Sequence, residues 1–185
     1  MTKRIDEVVL GGGCFWCLEP IFQRVNGVIS AESGYCGGHV VDPSYREICE
    51  ATTGHAEVVR VRFDPALVSL DTLLDLFFTF HDPTTQNRQG NDIGPQYRSV
   101  LFYPNEESKA HFERVIARLQ DGGLWRKTFV TRLEPSAPFY PAEDYHQRYF
   151  ESHGDEPYCA FVIEPKVQKL RARFAHLLRA PAATG

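Results

Sequence analysis

The stretch RIDEVVLGGGCFWCLEPIFQRVNGVISAESGY, residues 4–35, decides the expected fold. Val8, Val9 and Leu10 form a short apolar run closed by glycines, which predicts a strand. From Cys14 onward, Leu18, Ile21, Phe22 and Val25 recur at three- and four-residue intervals. That spacing predicts a helix that starts at the glycine run and stops at Asn26, with Gly27 as its cap. VISAESGY follows as a second strand, so the opening unit reads β-α-β.

A second unit of the same kind lies downstream. In GHAEVVRVRFDP (54–65), Val59, Val61 and Phe63 alternate with Arg60 and Arg62, a half-buried strand closed by Pro65. SLDTLLDLFFTFHDP (69–83) reads as an apolar helix with Ser69 as N-cap, Asp71 in its first turn and Pro83 beyond its end. SVLFY (99–103) is a compact strand. NEESKAHFERVIARLQDGG (105–123) is an amphipathic helix capped by Asn105 and stopped by glycines, and KTFVTRLEP (127–135) is one more strand. The order predicts an α+β fold: a two-layer sandwich with a ferredoxin-like split βαβ core. We expect one catalytic unit over residues 1–185, a final helix packing or fraying near RAPAATG (179–185), and a disordered end.

Three stretches resist periodicity: 36–55, 81–98 and 135–159. Each is rich in Gly, Pro, Asn, Asp and aromatic residues. Long ordered coil in a compact fold is usually functional, so these segments are expected to build the site.

Composition narrows the class. The chain has 185 residues, 43% of them apolar and 24% charged, as in an ordinary globular protein. A formal net charge of -4 gives no reason to expect nucleic acid or an anionic membrane as partner. No apolar run is long enough to span a bilayer or serve as a signal-peptide core, which reads as a cytoplasmic protein. The five cysteines, Cys14, Cys17, Cys36, Cys49 and Cys159, do not suggest a disulfide scaffold. The seven histidines include no metal-like cluster.

Cys14 sits at the start of the first helix, where unpaired N–H groups and the helix dipole favour a thiolate. Cys17 follows one turn later. Three readings of this C-x-x-C stand side by side: a thioredoxin-type redox pair, half of a zinc site, or a single nucleophile at Cys14 with an incidental neighbour. Zinc would need two more ligands at suitable spacing, and no second C-x-x-C or H-x-x-x-H exists.

GGGCFWC, SGYCGG, YREICEATTGHAEVV, FFTFHDPTTQNRQGNDIGPQYRSVLFY and YPAEDYHQRYF together resemble the peptide-methionine (S)-S-oxide reductase family, methionine sulfoxide reductase A. The resemblance runs from Gly11 to about Lys166, in the family's order. It implies reduction of methionine S-sulfoxide, free or in protein, without metal or organic cofactor. Cys14 would be the nucleophile that becomes a sulfenic acid, and Glu57 the acid that protonates the sulfoxide oxygen. Tyr45 and Tyr97 would hydrogen-bond that oxygen. Phe15 and Trp16 would form the methyl pocket, with Asp92 lining the site. A second thiol must then resolve the sulfenic acid, and a thioredoxin-type dithiol would reopen the disulfide. Cys159 matches the family's recycling cysteine and is the expected resolving thiol, with Cys17 as its rival. Cys36 is a further possibility and Cys49 is expected to be structural. A monomer is the expected working unit. Two positions depart from the family: glycine is usual at Cys17, and a residue other than cysteine is frequent at Cys36.

Overall fold

A computed structural model describes residues 4–181. The chain runs β1 (Asp6–Gly11), α1 (Phe15–Gln23), β2 (Val28–Cys36), α2 (Tyr45–Cys49), β3 (Ala56–Phe63) and α3 (Leu70–Phe80). A short hairpin, β4 (Arg88–Gln89) and β5 (Asp92–Ile93), precedes β6 (Val100–Tyr103) and α4 (Glu106–Asp121). Then come β7 (Arg132–Pro135), β8 (Phe139–Pro141), α5 (Tyr149–Ser152), a π-helical turn over Cys159–Ile163, and α6 (Glu164–Arg173).

Six strands form one sheet in the order β7-β6-β1-β3-β2-β8. The inner four have the split βαβ arrangement: β3 lies between β1 and β2 and runs antiparallel to both, and β6 flanks β1 antiparallel. The expected α+β class and split core are therefore present. Two edge strands extend the sheet, β7 parallel to β6 and β8 antiparallel to β2.

The strand alternation sorts the two faces. Val59, Val61 and Phe63 of β3 join Val8 and Leu10 of β1 in the main core, with Ile21 and Phe22 of α1 and Leu73, Leu74 and Phe77 of α3. Val58, Val100, Phe102 and Cys36 form a smaller cluster on the opposite face. Burying each large apolar side chain contributes roughly 1.5–3 kcal/mol, so the helix-covered face carries most of the stabilisation.

The N-caps predicted at Ser69 and Asn105 are in place, whereas α1 ends at Gln23 with Arg24 as its C-cap, short of the expected stop at Asn26 and cap at Gly27. Ser69 Oγ accepts from Thr72 N–H at 3.1 Å, and Asn105 Oδ1 accepts from Ser108 N–H at 2.8 Å. α2, unexpected from the sequence, carries a capping box between Ser44 and Glu47. β8 and α5 also arise inside a stretch read as coil. The final helix, α6, ends at Arg173, earlier than the expected position near 179–185. The expected disorder of residues 182–185 lies outside the described residues. No helix among the described residues is long and apolar enough to cross a membrane.

Candidate active site around Cys14

The glycine run delivers Cys14 to the end of β1. Gly13 has φ of +92°, a conformation side chains rarely adopt, and a Cβ on Gly12 would strike the His81 ring. Cys14 itself is the N-cap of α1, extended at φ -60° and ψ 126°, so it stands outside the helix while Cys17 lies within it. Cys17 N–H donates to Cys14 O at 3.0 Å. All five cysteines are free thiols.

Glu57 on β3 is buried under this turn, where its Oε2 accepts the Phe15 N–H at 3.1 Å. Burial pushes its carboxyl up to about 8, reinforced by the charges of Asp92 and Cys17 and opposed by the Phe15 N–H. Near neutral pH it is therefore predominantly a protonated acid. Tyr45 on α2 and Tyr97 at the end of a 3-10 turn (Pro95–Tyr97) before β6 are half-buried; burial together with Glu57 and Cys14 keeps both phenols neutral, with Cys49 adding to the effect at Tyr45. The structure thus brings Cys14, Glu57, Tyr45 and Tyr97 into one electrostatic neighbourhood.

Cys14 is only 9% exposed. Burial holds its thiol well above the ordinary range, outweighing the N–H of Trp16, so the helix start does not ionise it as the sequence suggests. Cys17 moves the other way, down to about 7, through the Cys14 thiol, the positive charge of Lys166 and the Tyr158 hydroxyl. Within the C-x-x-C pair the Cys14 thiol is thus raised and the Cys17 thiol lowered.

A cleft of about 420 Å³ opens over the pair, lined by Cys14, Cys17, Gln89, Asp92, Tyr158 and Lys166 among others. Cys159 is fully buried in the main core and does not line the cleft. Cys36 is buried in the smaller cluster, its Sγ 3.6 Å from Ala137 O, and its thiol is pushed up to about 11. Cys49, expected to be structural, is exposed on α2.

Trp16 and Phe15 follow Cys14 at the start of α1 but do not line this cleft. The Trp16 ring stacks on Tyr149 at 3.7 Å and 5°, and its Nε1–H donates to His146 Nδ1 at 3.0 Å. Phe15 is fully buried, tilted against Tyr35 and His146. Of the expected aromatic pair, Trp16 stands nearer the surface and Phe15 backs it.

Several supporting residues escaped the sequence reading. Glu143 accepts from Tyr35 OH at 3.1 Å and from Tyr45 N–H at 3.0 Å, and it lies 3.2 Å from His146 Nε2. Arg98, buried, donates to Glu134, Gly54 O and Pro95 O, tying together the coils that lead to Glu57 and Tyr97. The carboxamide of Gln89 pairs with the backbone of Asp82, and its Cβ and Cγ pack over Gly13. Tyr158 could have been found beside Cys159 in EPYC, whereas nothing in the sequence singles out Arg98. Among the described residues no three His, Cys, Asp or Glu side chains gather as a metal site.

Comparisons with known proteins identify the family. The family model described as peptide methionine sulfoxide reductase matches residues 6–178. A relative from Ralstonia nicotianae, named peptide methionine sulfoxide reductase MsrA, is 52% identical over 97% of this chain and 97% of its own. A relative of the same name from Sulfolobus acidocaldarius is 50% identical over 92% of this chain and 96% of its own. Among solved structures, reduced Mxr1 from Saccharomyces cerevisiae has a TM-score of 0.77 at 32% identity, covering 84% of this chain and 90% of that one. Methionine sulfoxide reductase A of Corynebacterium diphtheriae has a TM-score of 0.69 at 34% identity, covering 80% and 75%. The chain belongs to the peptide methionine sulfoxide reductase family.

Proposed function

We propose that this chain reduces methionine S-sulfoxide, free or in protein, to methionine, with Cys14 as nucleophile and Glu57 as acid. The observation that carries the reading is the placement of a neutral, buried Glu57 directly beneath the Cys14 turn. A sulfoxide sulfur is a poor electrophile until its oxygen is protonated, and a carboxyl held protonated near neutral pH supplies that proton. Tyr45 and Tyr97, kept neutral, donate hydrogen bonds to the same oxygen. Trp16, backed by Phe15, receives the methyl group, and Asp92 lines the cleft.

The first step balances within the site. Glu57 gives its proton to the sulfoxide oxygen, Cys14 gives its own proton to Glu57, and the Cys14 sulfur takes over the oxygen. Methionine leaves, and Cys14 is left as a sulfenic acid. For the second step we assign Cys17 as resolving thiol in preference to Cys159. Cys17 lines the same cleft as Cys14 and its thiol falls to about 7, whereas Cys159 lies buried outside that cleft. Because Cys14 is an N-cap, a Cys14–Cys17 bond straddles the helix end and does not strain the helix body.

A thioredoxin-type dithiol is the reductant in this scheme, and the chain works as one monomeric catalytic unit in a reducing cytoplasm. The family match over residues 6–178 supports a single unit. The test is turnover with dithiothreitol on separated sulfoxide epimers. We expect the S epimer to be consumed, the R epimer to remain, and Cys14→Ser to be inactive. Full activity of Cys14→Ser would overturn the reading. Peptide mapping after one turnover without reductant checks the resolving thiol, with a Cys14–Cys17 disulfide expected and a Cys14–Cys159 disulfide refuting it.

A further inference from the structure

The assignment of Cys17 raises a question that family membership does not answer. A resolving thiol is useful only as a thiolate, and Cys17 is buried, which by itself opposes ionisation. A neighbouring group must offset that burial.

The C-terminal segment supplies it. α6 packs against α1, and the π-helical turn over Cys159–Ile163 packs against α1 as well. π-helical turns of this kind are frequent at functional sites because they re-aim side chains. Here Tyr158 precedes the turn and Lys166 follows it, and both line the cleft with Cys17. Tyr158 OH donates to Asp92 Oδ2 at 2.8 Å and lies 3.4 Å from Cys17 Sγ. With its one proton committed to Asp92, the hydroxyl can only accept from the Cys17 thiol. When that thiol ionises, the hydroxyl can rotate to donate to the sulfur, leaving Asp92 to solvent at the cleft. Lys166 has no ion-pair partner among the described residues, so its charge is not spent on a carboxylate.

We propose that Lys166 is the positioning residue that makes Cys17 the attacking thiol of the second step, with the Tyr158 hydroxyl as its partner in holding the sulfur. The proposal rests on Cys17 as the resolving thiol. Cys14 and Tyr158 offer hydrogen-bonding protons, Asp92 opposes ionisation, and among the described residues lining the cleft Lys166 is the cation. Glu57 is neutral below about 8, and Cys159 is a thiol in the main core whose ionisation is suppressed by burial.

The step balances. The Cys17 sulfur attacks the sulfenic sulfur of Cys14, the S–S bond forms and the S–O bond breaks. The departing oxygen takes the proton given up by Cys17 and leaves as water. The sulfenic sulfur gains the electrons that the Cys17 sulfur loses, so no external oxidant or reductant is required.

The test uses the full chain mixed rapidly with one equivalent of N-acetyl-methionine S-sulfoxide amide, without reductant, from pH 6 to 9. Methionine release reports the first step and serves as the internal reference. Loss of dimedone-reactive sulfenic acid reports the second. A cation lining the same cleft as a thiol can move it by about one pH unit, and thiolate content below the midpoint scales accordingly. In Lys166→Met the second step should slow about tenfold relative to methionine release at pH 6.5, with its pH midpoint about one unit higher. Lys166→Arg, which keeps the charge, should restore both. A Lys166→Met protein whose second step keeps the wild-type rate and midpoint overturns the proposal while Cys17 remains the resolving thiol. Cys17→Ser separates the two failures, because a Cys17→Ser protein that still consumes its sulfenic acid into a disulfide overturns the resolving assignment itself.

Discussion

Replacing Glu57 with glutamine tests the core of the mechanism without dismantling the site. Glutamine keeps an oxygen to accept the Phe15 N–H, the contact that Glu57 makes at 3.1 Å, and it retains an N–H for the sulfoxide oxygen. What it loses is a transferable proton. General acid catalysis by a positioned carboxyl is worth about 10²- to 10⁴-fold, roughly 3–5 kcal/mol of barrier, and that is the loss expected in methionine release. The pH dependence gives a second signature. With Glu57 raised to about 8, about nine in ten molecules carry the acid at pH 7 and about one in ten at pH 9. Methionine release in the native protein should therefore fall nearly tenfold per unit above pH 8, and this limb should vanish in Glu57→Gln. The assay is rapid-quench release of methionine from the S-sulfoxide in a single turnover, which excludes the reductant-dependent steps. A variant within threefold of the native rate, or one retaining the descending limb, would refute Glu57 as the acid.

Other perturbations probe the surroundings. Tyr45→Phe and Tyr97→Phe should each slow methionine release about tenfold, and the double variant about 10²- to 10³-fold, since each removes one donor to the developing charge; equal rates for single and double variants would contradict shared duty. Arg98→Met strips Glu134, Gly54 O and Pro95 O of one buried partner and should cost about 3 kcal/mol, lowering Tm by roughly 6–12 °C in calorimetry. His81 is held near 4 by burial, below the ordinary 6.5 of an unfolded chain. Its folded-state value is depressed, so its contribution is present above pH 6.5 and lost as pH falls toward 4, on the order of 3 kcal/mol in all. Urea titrations at pH 7.5 and 4.5 should show that loss, reduced in His81→Gln, and an unchanged pH dependence in the variant would exclude His81 as its source.

How much of this was legible beforehand follows from where the physics is local. Ser69 and Asn105 cap their helices through contacts three residues away, and Val59, Val61 and Phe63 face one side because strands alternate. Such signals are written in consecutive residues, so the split βαβ core could be read directly. β8 could not, because its pairing with β2 sets Phe139 opposite Cys36, about a hundred positions away, inside a proline-rich stretch. α2 was readable in principle from Ser44 and Glu47, whose capping box outweighs the missing periodicity. The site divides the same way. Cys14 and Glu57 could be found through motif resemblance, but the burial that raises both of their pKa values exists only once the sheet and α1 close over them.

The same distinction decides how the C-x-x-C motif works here. Sequence logic gives the helix start to Cys14 and expects the thiolate there. In the fold, Cys14 is packed beside a carboxyl that must stay protonated, and a permanent thiolate at that point would be repelled once Glu57 had given its proton away. Keeping Cys14 a thiol until substrate arrives lets its proton replace the one Glu57 donates. Cys17, one turn further along α1 and lining the cleft with Lys166 and Tyr158, has no such constraint and ionises more readily. It follows that alkylation of the free enzyme near pH 7 with a limiting amount of iodoacetamide, read by peptide mass, should label Cys17 ahead of Cys14. Preferential labelling of Cys14 would mean that the helix terminus outweighs burial after all, and the division of labour between the two thiols would have to be reversed.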